Sequence, residues 1–381
     1  MASIGIIAEY NPFHNGHLYH LKKIKEMFPN DTIILVLSGN FTQRGEPSII
    51  DKWKKTEIAI KAGIDLVVEL PFIFATQSAD IFAYGAITIL ENLKVDKLVF
   101  GSEIDDIDLL TTIAKAQVDN PLFDQLVKTY MKMGENYPTA ISKTVYDLTE
   151  KKVDTPNDLL GVSYIKTIIK NNYKIKPIAI KRTTDYHKEE LKEITSATTI
   201  RNYLENKNEV AIAIPDFEMP YLKEENLHFK KDYFSLLKYK IITSKDLSIY
   251  QTVNEGIDNL LKKEIITCKT YDELIEKVKS KRYTYNKLNR MLLHILVGLT
   301  KEEAKNLKEI KYIRILGFNN LGQTYLNKIK KDIEIPVLSK FERENPMLNL
   351  ELRSTIIYSL PKNETSLEKA EYTNHLRKEE K

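Results

Sequence analysis

The first half of the chain alternates short, almost wholly apolar segments with stretches of helical periodicity. Strands that are apolar on both faces are typical of a parallel sheet that helices cover on each side. We therefore predict a doubly wound, Rossmann-like α/β fold. The predicted strands are Ser3–Ala8, Thr32–Leu37, Asp65–Leu70, Lys97–Phe100 and Ile175–Ile180. Helices are predicted at Gly16–Phe28, Lys52–Ala62 and Gln77–Leu93.

The composition changes near residue 206, beyond which the chain is rich in Lys, Leu and Glu with helical periodicity. Only Ile313–Phe318 and Ile335–Leu338 have strand-like patterns there. We therefore predict two domains. Residues 1–205 form the α/β domain, and residues 206–381 form a mostly helical one.

Composition excludes several classes of protein. The single cysteine, Cys268, permits neither an intrachain disulfide nor a cysteine-based zinc site, and it fits a small buried side chain. No apolar run approaches the roughly 20 residues of a membrane span, and the N-terminus lacks the pattern of a signal peptide. The chain has 57 Lys and Arg residues and 53 Asp and Glu residues. The resulting net charge of +4 is too small to indicate that the protein as a whole binds a polyanion. We expect a soluble, cytoplasmic protein with no membrane partner.

The connection after the first strand carries the sharpest chemical signal. It places His14 and His17 at the carboxyl end of a strand and the start of a helix, with Gly16 between them. Ligands of open parallel sheets bind at this edge, and free N–H groups at a helix start suit phosphate. Two imidazoles there can donate hydrogen bonds to phosphoryl oxygens. The alternative is a pair of surface or helix-capping histidines in a turn.

Polar residues also follow the second strand, at Gln43, Arg44, Asp51, Lys52 and Trp53. Asp51 is placed to cap the next helix, and Lys52 is equally compatible with this cluster and with solvent. The only tryptophan is expected to anchor the core rather than to stack on a base.

His14-Asn15-Gly16-His17 resembles the HxGH signature of the nucleotidyltransferase superfamily related to class I aminoacyl-tRNA synthetases. Ile194–Arg201 resembles the second signature of that superfamily, with Thr195 and Ala197 as departures. Longer strings resemble one family, the bacterial tRNA(Met) cytidine acetate ligases, over nearly the whole chain. These strings are Glu9–His17, Gly39–Asp51, Asp51–Trp53, Glu69–Pro71, Gln77–Ala79, Phe100–Glu103, Thr155–Asp158, Lys181–Arg182, Arg282–Thr284 and Leu316–Asn319.

The resemblance implies an ATP site in which His14 and His17 are catalytic. The other nucleotide contacts that it implies are Ile7, Ala8, Glu9, Tyr10, Asn11, Phe13, Asn15, Gly16, His20, Gly101, Ser102, Asn157, Arg182, Ser196 and Arg201. Ser196 and Arg201 would hold the β- and γ-phosphates. Simpler interpretations remain open: a turn at Gly101, a helix cap at Asn157 and a salt bridge at Arg182.

The activity that the resemblance implies is an ATP-dependent ligation of acetate to the wobble cytidine of elongator tRNA(Met), through acetyl-adenylate, giving N4-acetylcytidine. Mg²⁺ is expected with ATP, and no carboxylate in the sequence stands out as its ligand. One alternative is a small-molecule adenylyltransferase of the same superfamily, which would leave the helical second half unexplained. Another is a non-catalytic RNA-binding protein with a vestigial nucleotide site, which the intact signature residues argue against.

A local basic stretch lies between Lys277 and Leu296, where six Lys or Arg residues and two tyrosines occur without Asp or Glu. Basic residues among aromatic ones suit RNA, through phosphate contacts and base stacking. A lysine-rich solvated helix face is the alternative. The predicted RNA contacts are Lys281, Arg282, Lys287 and Arg290.

Overall fold

A central sheet organises the chain. The computed structural model describes residues 2–182, 191–254, 256–280 and 283–373, and the backbone of residues 377 and 378. Its strands are β1 (Ser3–Ala8), β2 (Thr32–Ser38), β3 (Leu66–Leu70), β4 (Lys97–Ser102), β5 (Lys176–Lys181), β6 (Ile313–Phe318), β7 (Val337–Leu338) and β8 (Arg377–Lys378).

The strand order is β5-β4-β1-β2-β3-β6-β7, and β8 also pairs with β6. Strands β1 to β5 run parallel to one another, whereas β6 runs antiparallel to β3. Every residue of β2 and of β3 is buried, because helices pack on the sheet from both sides. The predicted α/β fold is confirmed, and the carboxyl ends of the five parallel strands share one edge.

The α-helices of the described residues account for most of the remaining chain. They are α1 (Asn15–Met27), α2 (Lys52–Lys61), α3 (Phe72–Ala75), α4 (Ala79–Asn92), α5 (Ile107–Asp119), α6 (Phe123–Lys132), α7 (Tyr137–Thr149), α8 (Pro156–Lys170), α9 (Ala197–Glu205), α10 (Phe234–Thr243), α11 (Ile257–Glu264), α12 (Tyr271–Val278), α13 (Tyr285–Val297), α14 (Lys301–Asn306), α15 (Asn320–Ile329), α16 (Pro346–Ser359) and α17 (Thr365–Thr373). Short 3-10 helices occur at Ala211–Ala213, Met219–Tyr221, Glu224–Asn226, Lys230–Tyr233 and Leu360–Lys362. None of the helices in the described part of the chain is long and apolar enough to cross a membrane.

Asp51, Trp53 and Cys268 behave as the sequence predicts. The Asp51 carboxylate accepts the backbone N–H groups of Trp53 and Lys54 and so caps α2. Trp53 and Cys268 are buried. The division of the chain at residue 206 stays a prediction, and the structure adds one fact to it. Strand β6, from beyond that position, joins the sheet of the first half.

A buried ionic network ties the last helices to the sheet. The Lys52 ammonium lies 2.5 Å from Glu69 of β3 and 2.7 Å from Glu371 of α17. Arg314 of β6 lies 3.1 Å and 2.6 Å from the same two carboxylates. Burial alone would raise the pKa of Glu371, but the charges of Lys52 and Arg314 outweigh it and lower that pKa. At the nearby Glu351 the effect of burial is the larger one, and it raises the pKa well above the usual range. With Glu351 neutral, two cations and two carboxylates balance in the core.

Candidate active site

The loop between β1 and α1 holds the two signature histidines in one fixed arrangement. His14 is the N-cap of α1, and its Nδ1 accepts the backbone N–H of Gly16 at 3.0 Å. The backbone N–H of His14 in turn donates to Nδ1 of His17 at 3.2 Å. The two rings stack with centroids 3.8 Å apart. A Cβ on residue 16 would lie 2.8 Å from the His14 ring, so this close approach requires glycine.

These contacts determine where the histidine protons lie. In both rings Nδ1 accepts a hydrogen bond, so a neutral ring carries its proton on Nε2. Burial, together with Arg182 and Arg201, lowers the pKa of His14 to about 3. Burial and the neighbouring His14 lower the pKa of His17 well below its usual range. At neutral pH the pair therefore presents two uncharged Nε2–H donors.

The ring of Tyr10 packs against the loop that carries the two histidines. Its ring contacts the rings of Phe13 and His17, with centroids 4.8 Å away in each case. Its backbone adopts a φ of 45°, in the left-handed region that side chains rarely occupy. The packed ring compensates for this local strain, which the structure stores in the loop that carries the histidines.

His20 lies one turn further along α1, and it lines one cavity together with His14 and His17. Burial, and then Arg182, lowers its pKa to about 4. Within the described part of the chain, its buried Nε2 has no hydrogen-bond partner. A buried polar atom of this kind costs free energy until a ligand or a water satisfies it, so this wall fits a polar ligand such as a nucleotide phosphate.

The lowered pKa of His20 predicts a pH dependence of stability. Between about pH 6.5 and pH 4 the unfolded chain binds a proton at this residue that the folded chain does not. The free energy of unfolding should therefore fall as the pH drops through that interval. His20→Gln should flatten the slope by up to about 1.4 kcal/mol per pH unit, as measured by urea unfolding at several pH values. Parallel pH curves for the two proteins would contradict the assignment.

The end of β4 and the start of α8 form another wall of the cavity that His14 and His17 line. The aliphatic part of the Arg182 side chain packs over Gly101, and a Cβ on residue 101 would lie 3.1 Å from the Arg182 Cγ. The Arg182 Nε lies 3.7 Å from the Glu103 carboxylate. Glu103 also accepts a hydrogen bond from the Asn157 side chain. Ser102 is fully buried and donates to the carboxylate of Asp158 rather than facing the cavity. The salt bridge that was the simpler interpretation of Arg182 is thus present, on the cavity wall.

The second signature lies at the start of α9. Ser196 caps this helix through a hydrogen bond from the backbone N–H of Thr199 at 3.1 Å. Arg201 donates to the carbonyl oxygen of Asn11 at 2.7 Å and lies 3.3 Å from the Glu46 carboxylate. Arg201 therefore joins the β1–α1 loop to the β2–α2 loop. The structure brings the two sequence signatures together on one cavity.

That cavity has a volume of about 840 Å³ and opens at the carboxyl edge of the parallel strands. It is lined by most of the predicted nucleotide contacts. They are Ile7, Ala8, Glu9, Tyr10, Asn11, His14, Gly16, His17, His20, Gly101, Asn157, Arg182, Ser196 and Arg201. Phe13, Asn15 and Ser102 do not line it. Phe13 is in the core, and the Asn15 side chain donates to the carbonyl oxygens of Glu193 and Ile212.

Of the predicted RNA contacts, Lys281 and Arg282 lie outside the described residues. The Lys287 ammonium lies 4.3 Å from the centroid of the Tyr283 ring. Arg290 lines the cavity and donates to the carbonyl oxygen of Gln43 at 3.2 Å. Burial lowers the pKa of Arg290 to about 10.

Two supporting residues escaped the sequence analysis. The buried Lys55 ammonium donates to the carbonyl oxygens of Glu9, Ser38 and Gly39 at 2.7 to 3.0 Å, so it joins the ends of β1 and β2. Glu218 accepts the backbone N–H of Phe13 at 3.1 Å, and burial raises its pKa well above its usual range. Lys55 follows the polar cluster after β2, which is a weak signal. No local pattern marks Glu218.

The fold and this histidine pair define a nucleotidyl transferase of the HIGH class, and the model of the HIGH Nucleotidyl Transferase family matches residues 1–373. A Caldicellulosiruptor saccharolyticus protein named tRNA(Met) cytidine acetate ligase is 40% identical over 376 residues, 94% of each chain. A Clostridium perfringens protein of the same name is 41% identical over 378 residues, 93% of this chain and 94% of its own.

Two crystal structures of Thermotoga maritima TmcAL are similar over the full length. The apo form has a TM-score of 0.92 at 29% identity and covers 100% of both chains. The form bound with alpha-thio ATP has a TM-score of 0.90 at 29% identity and covers 99% of both chains. The chain belongs to the tRNA(Met) cytidine acetate ligase family.

Proposed function

We propose that this chain ligates acetate to the wobble cytidine of elongator tRNA(Met) at the expense of ATP, giving N4-acetylcytidine. The observation that carries the proposal is the stacked, neutral pair of His14 and His17 at the start of α1, with both Nε2–H groups available. The names of the relatives and the alpha-thio ATP complex of TmcAL support the substrates.

The first step is the attack of the acetate carboxylate on the α-phosphorus of ATP, which gives acetyl-adenylate and releases pyrophosphate. Negative charge grows on the oxygens of the leaving pyrophosphate. Neutral Nε2–H groups of His14 and His17 stabilise that charge without losing a proton. Arg182 and Arg201 add positive charge on two other walls of the cavity.

In the second step the exocyclic amine of the cytidine attacks the acetyl carbonyl carbon, AMP leaves, and the nitrogen loses one proton. An unpaired base in an anticodon loop is accessible to such a site. We assign the activation step to residues 1–205 and RNA binding to residues 206–381, including Lys281, Arg282, Lys287 and Arg290. Arg290, from the second segment, lines the cavity of the activation site, and Glu218 accepts a hydrogen bond from the backbone of the loop that carries the histidines.

Mg²⁺ would arrive with ATP and neutralise phosphate oxygens. The described residues contain no cluster of three metal-ligating side chains, so we assign it no protein ligand. Action on tRNA supports the predicted cytoplasmic location.

The test is an incubation of the protein with ATP and radiolabelled acetate, with and without elongator tRNA(Met). We expect acetate-dependent release of pyrophosphate without RNA, and labelled acetylcytidine together with AMP when RNA is present. A small-molecule adenylyltransferase would release no pyrophosphate in response to acetate. A non-catalytic RNA-binding protein would retain the RNA and release neither product.

A further inference from the structure

A second, basic cavity lies beside the first one. It has a volume of about 550 Å³ and lies between α8, the start of α4 and α14. We refer to it as the lysine groove, because its walls carry Lys166, Lys170, Lys301, Lys305 and Lys308. Its remaining lining includes Gln77, Asn171, Gln251 and Tyr84.

The charges around the groove are segregated. Lys301, Ala304, Lys305 and Lys308 line it, whereas Glu302 and Glu303 of the same segment do not. Glu303 is instead 2.7 Å from Arg353. The segregation leaves one face of this segment basic.

Few carboxylates oppose the five lysines. Asp80 lies 2.5 Å from Lys166, and Glu309 lies near the Tyr84 hydroxyl. Lys170, Lys305 and Lys308 are exposed, and none of them forms an ion pair with the residues that the structure describes. Asp246 lies near Lys301. The charges of Lys170, Lys305 and Lys308 therefore leave the groove net positive.

The lysine groove adjoins the cavity that contains His14 and His17. Asp80 and Lys166 line both, so their ion pair stands at the junction of the two. An RNA strand bound by the lysines would therefore lie next to the cavity that contains His14 and His17. A lysine-rich surface that merely aids solubility would need neither this concave shape nor this junction.

We propose that the lysine groove binds the sugar–phosphate backbone of the RNA substrate beside the nucleotide that is modified. The proposal rests on the proposed function, and it adds a contact surface outside the basic stretch between Lys277 and Leu296. Three lysine ammoniums can contact successive phosphates, and the two glutamines, Asn171 and Tyr84 can contact sugars or bases.

The test compares two variants of equal charge change. Lys170, Lys305 and Lys308 are replaced together by glutamine in one, and the exposed Lys328, Lys330 and Lys331 at the end of α15 in the other. Glutamine keeps the helix propensity of lysine, and the groove variant loses no described ion pair. Binding of an elongator tRNA(Met) transcript is measured between about 50 and 200 mM salt. Thermal melting verifies folding, and the single variants K170Q and K308Q replace the triple one if it unfolds.

We expect the groove variant to raise the Kd for the transcript by about tenfold or more, and to reduce the salt slope by two to three. The control variant should match the wild type. Equal affinities and slopes for the two variants would overturn the proposal. Formation of acetylcytidine by the wild-type protein is measured separately, so a failure of the proposed function is distinguishable from a failure of the groove to bind RNA.

Discussion

Replacing His17 by alanine should slow acetate-dependent pyrophosphate release by about 10²–10³-fold, which is the usual loss for one charge-stabilising donor. The ring of His17 provides a neutral Nε2–H, since its Nδ1 accepts the backbone N–H of His14. Alanine removes both the donor and this acceptor. Steady-state release of pyrophosphate without RNA measures the effect on the first step alone.

His17→Asn separates the two losses. The asparagine Oδ1 can still accept the His14 N–H and keep the cap of α1, but no donor remains at the position of Nε2. We expect this variant to be as slow as the alanine variant, with nearly unchanged binding of tRNA. Full activity in the asparagine variant would show that His17 serves only to cap the helix.

Arg314→Met should lower the free energy of unfolding by about 3–5 kcal/mol, which is typical when one partner of a buried ionic network is removed. Arg314 is almost fully buried and lies within 3.1 Å of both Glu69 and Glu371. Without it, Lys52 alone would balance those two carboxylates in the core. Urea unfolding followed by circular dichroism measures the loss.

Arg353→Met is the matched control, because Arg353 also forms a close pair with a glutamate, at 2.7 Å from Glu303. Its side chain is 41% exposed, so solvent screens the pair and the expected loss is within about 1 kcal/mol. Similar losses for the two variants would mean that burial adds nothing to the network around Arg314.

Local patterns predicted the parallel part of the fold well. The predicted strand Ser3–Ala8 is β1 with the same bounds, and the predicted helix Lys52–Ala62 ends one residue beyond α2. Strands buried on both faces and helices with cap residues leave such signals in short windows. No local sequence signal predicted that β6 lies beside β3, because pairing between strands distant in the chain depends on the whole topology.

The candidate site was also predictable only in part. The loop with His14 and His17 was predictable, since it is contiguous and its residue types are specific. The burial of Lys52 was not, because its partners Glu69 and Glu371 come from two other segments of the chain. Arg290 was predicted to contact RNA from its neighbours in sequence. Its place on the cavity wall depends on Gly45, whose backbone lies against α13 with a φ of 75°.

The late position of β6 also constrains how the protein is made on the ribosome. Glu69 and Arg314, which meet across β3 and β6, are 245 residues apart in the chain. At about 5–20 residues per second, the edge of β3 waits roughly 12–50 s during translation for its partner strand. An unpaired strand edge is a template for aggregation. Nascent chains that stop before residue 313 should therefore depend on chaperones, although they already contain both signature histidines.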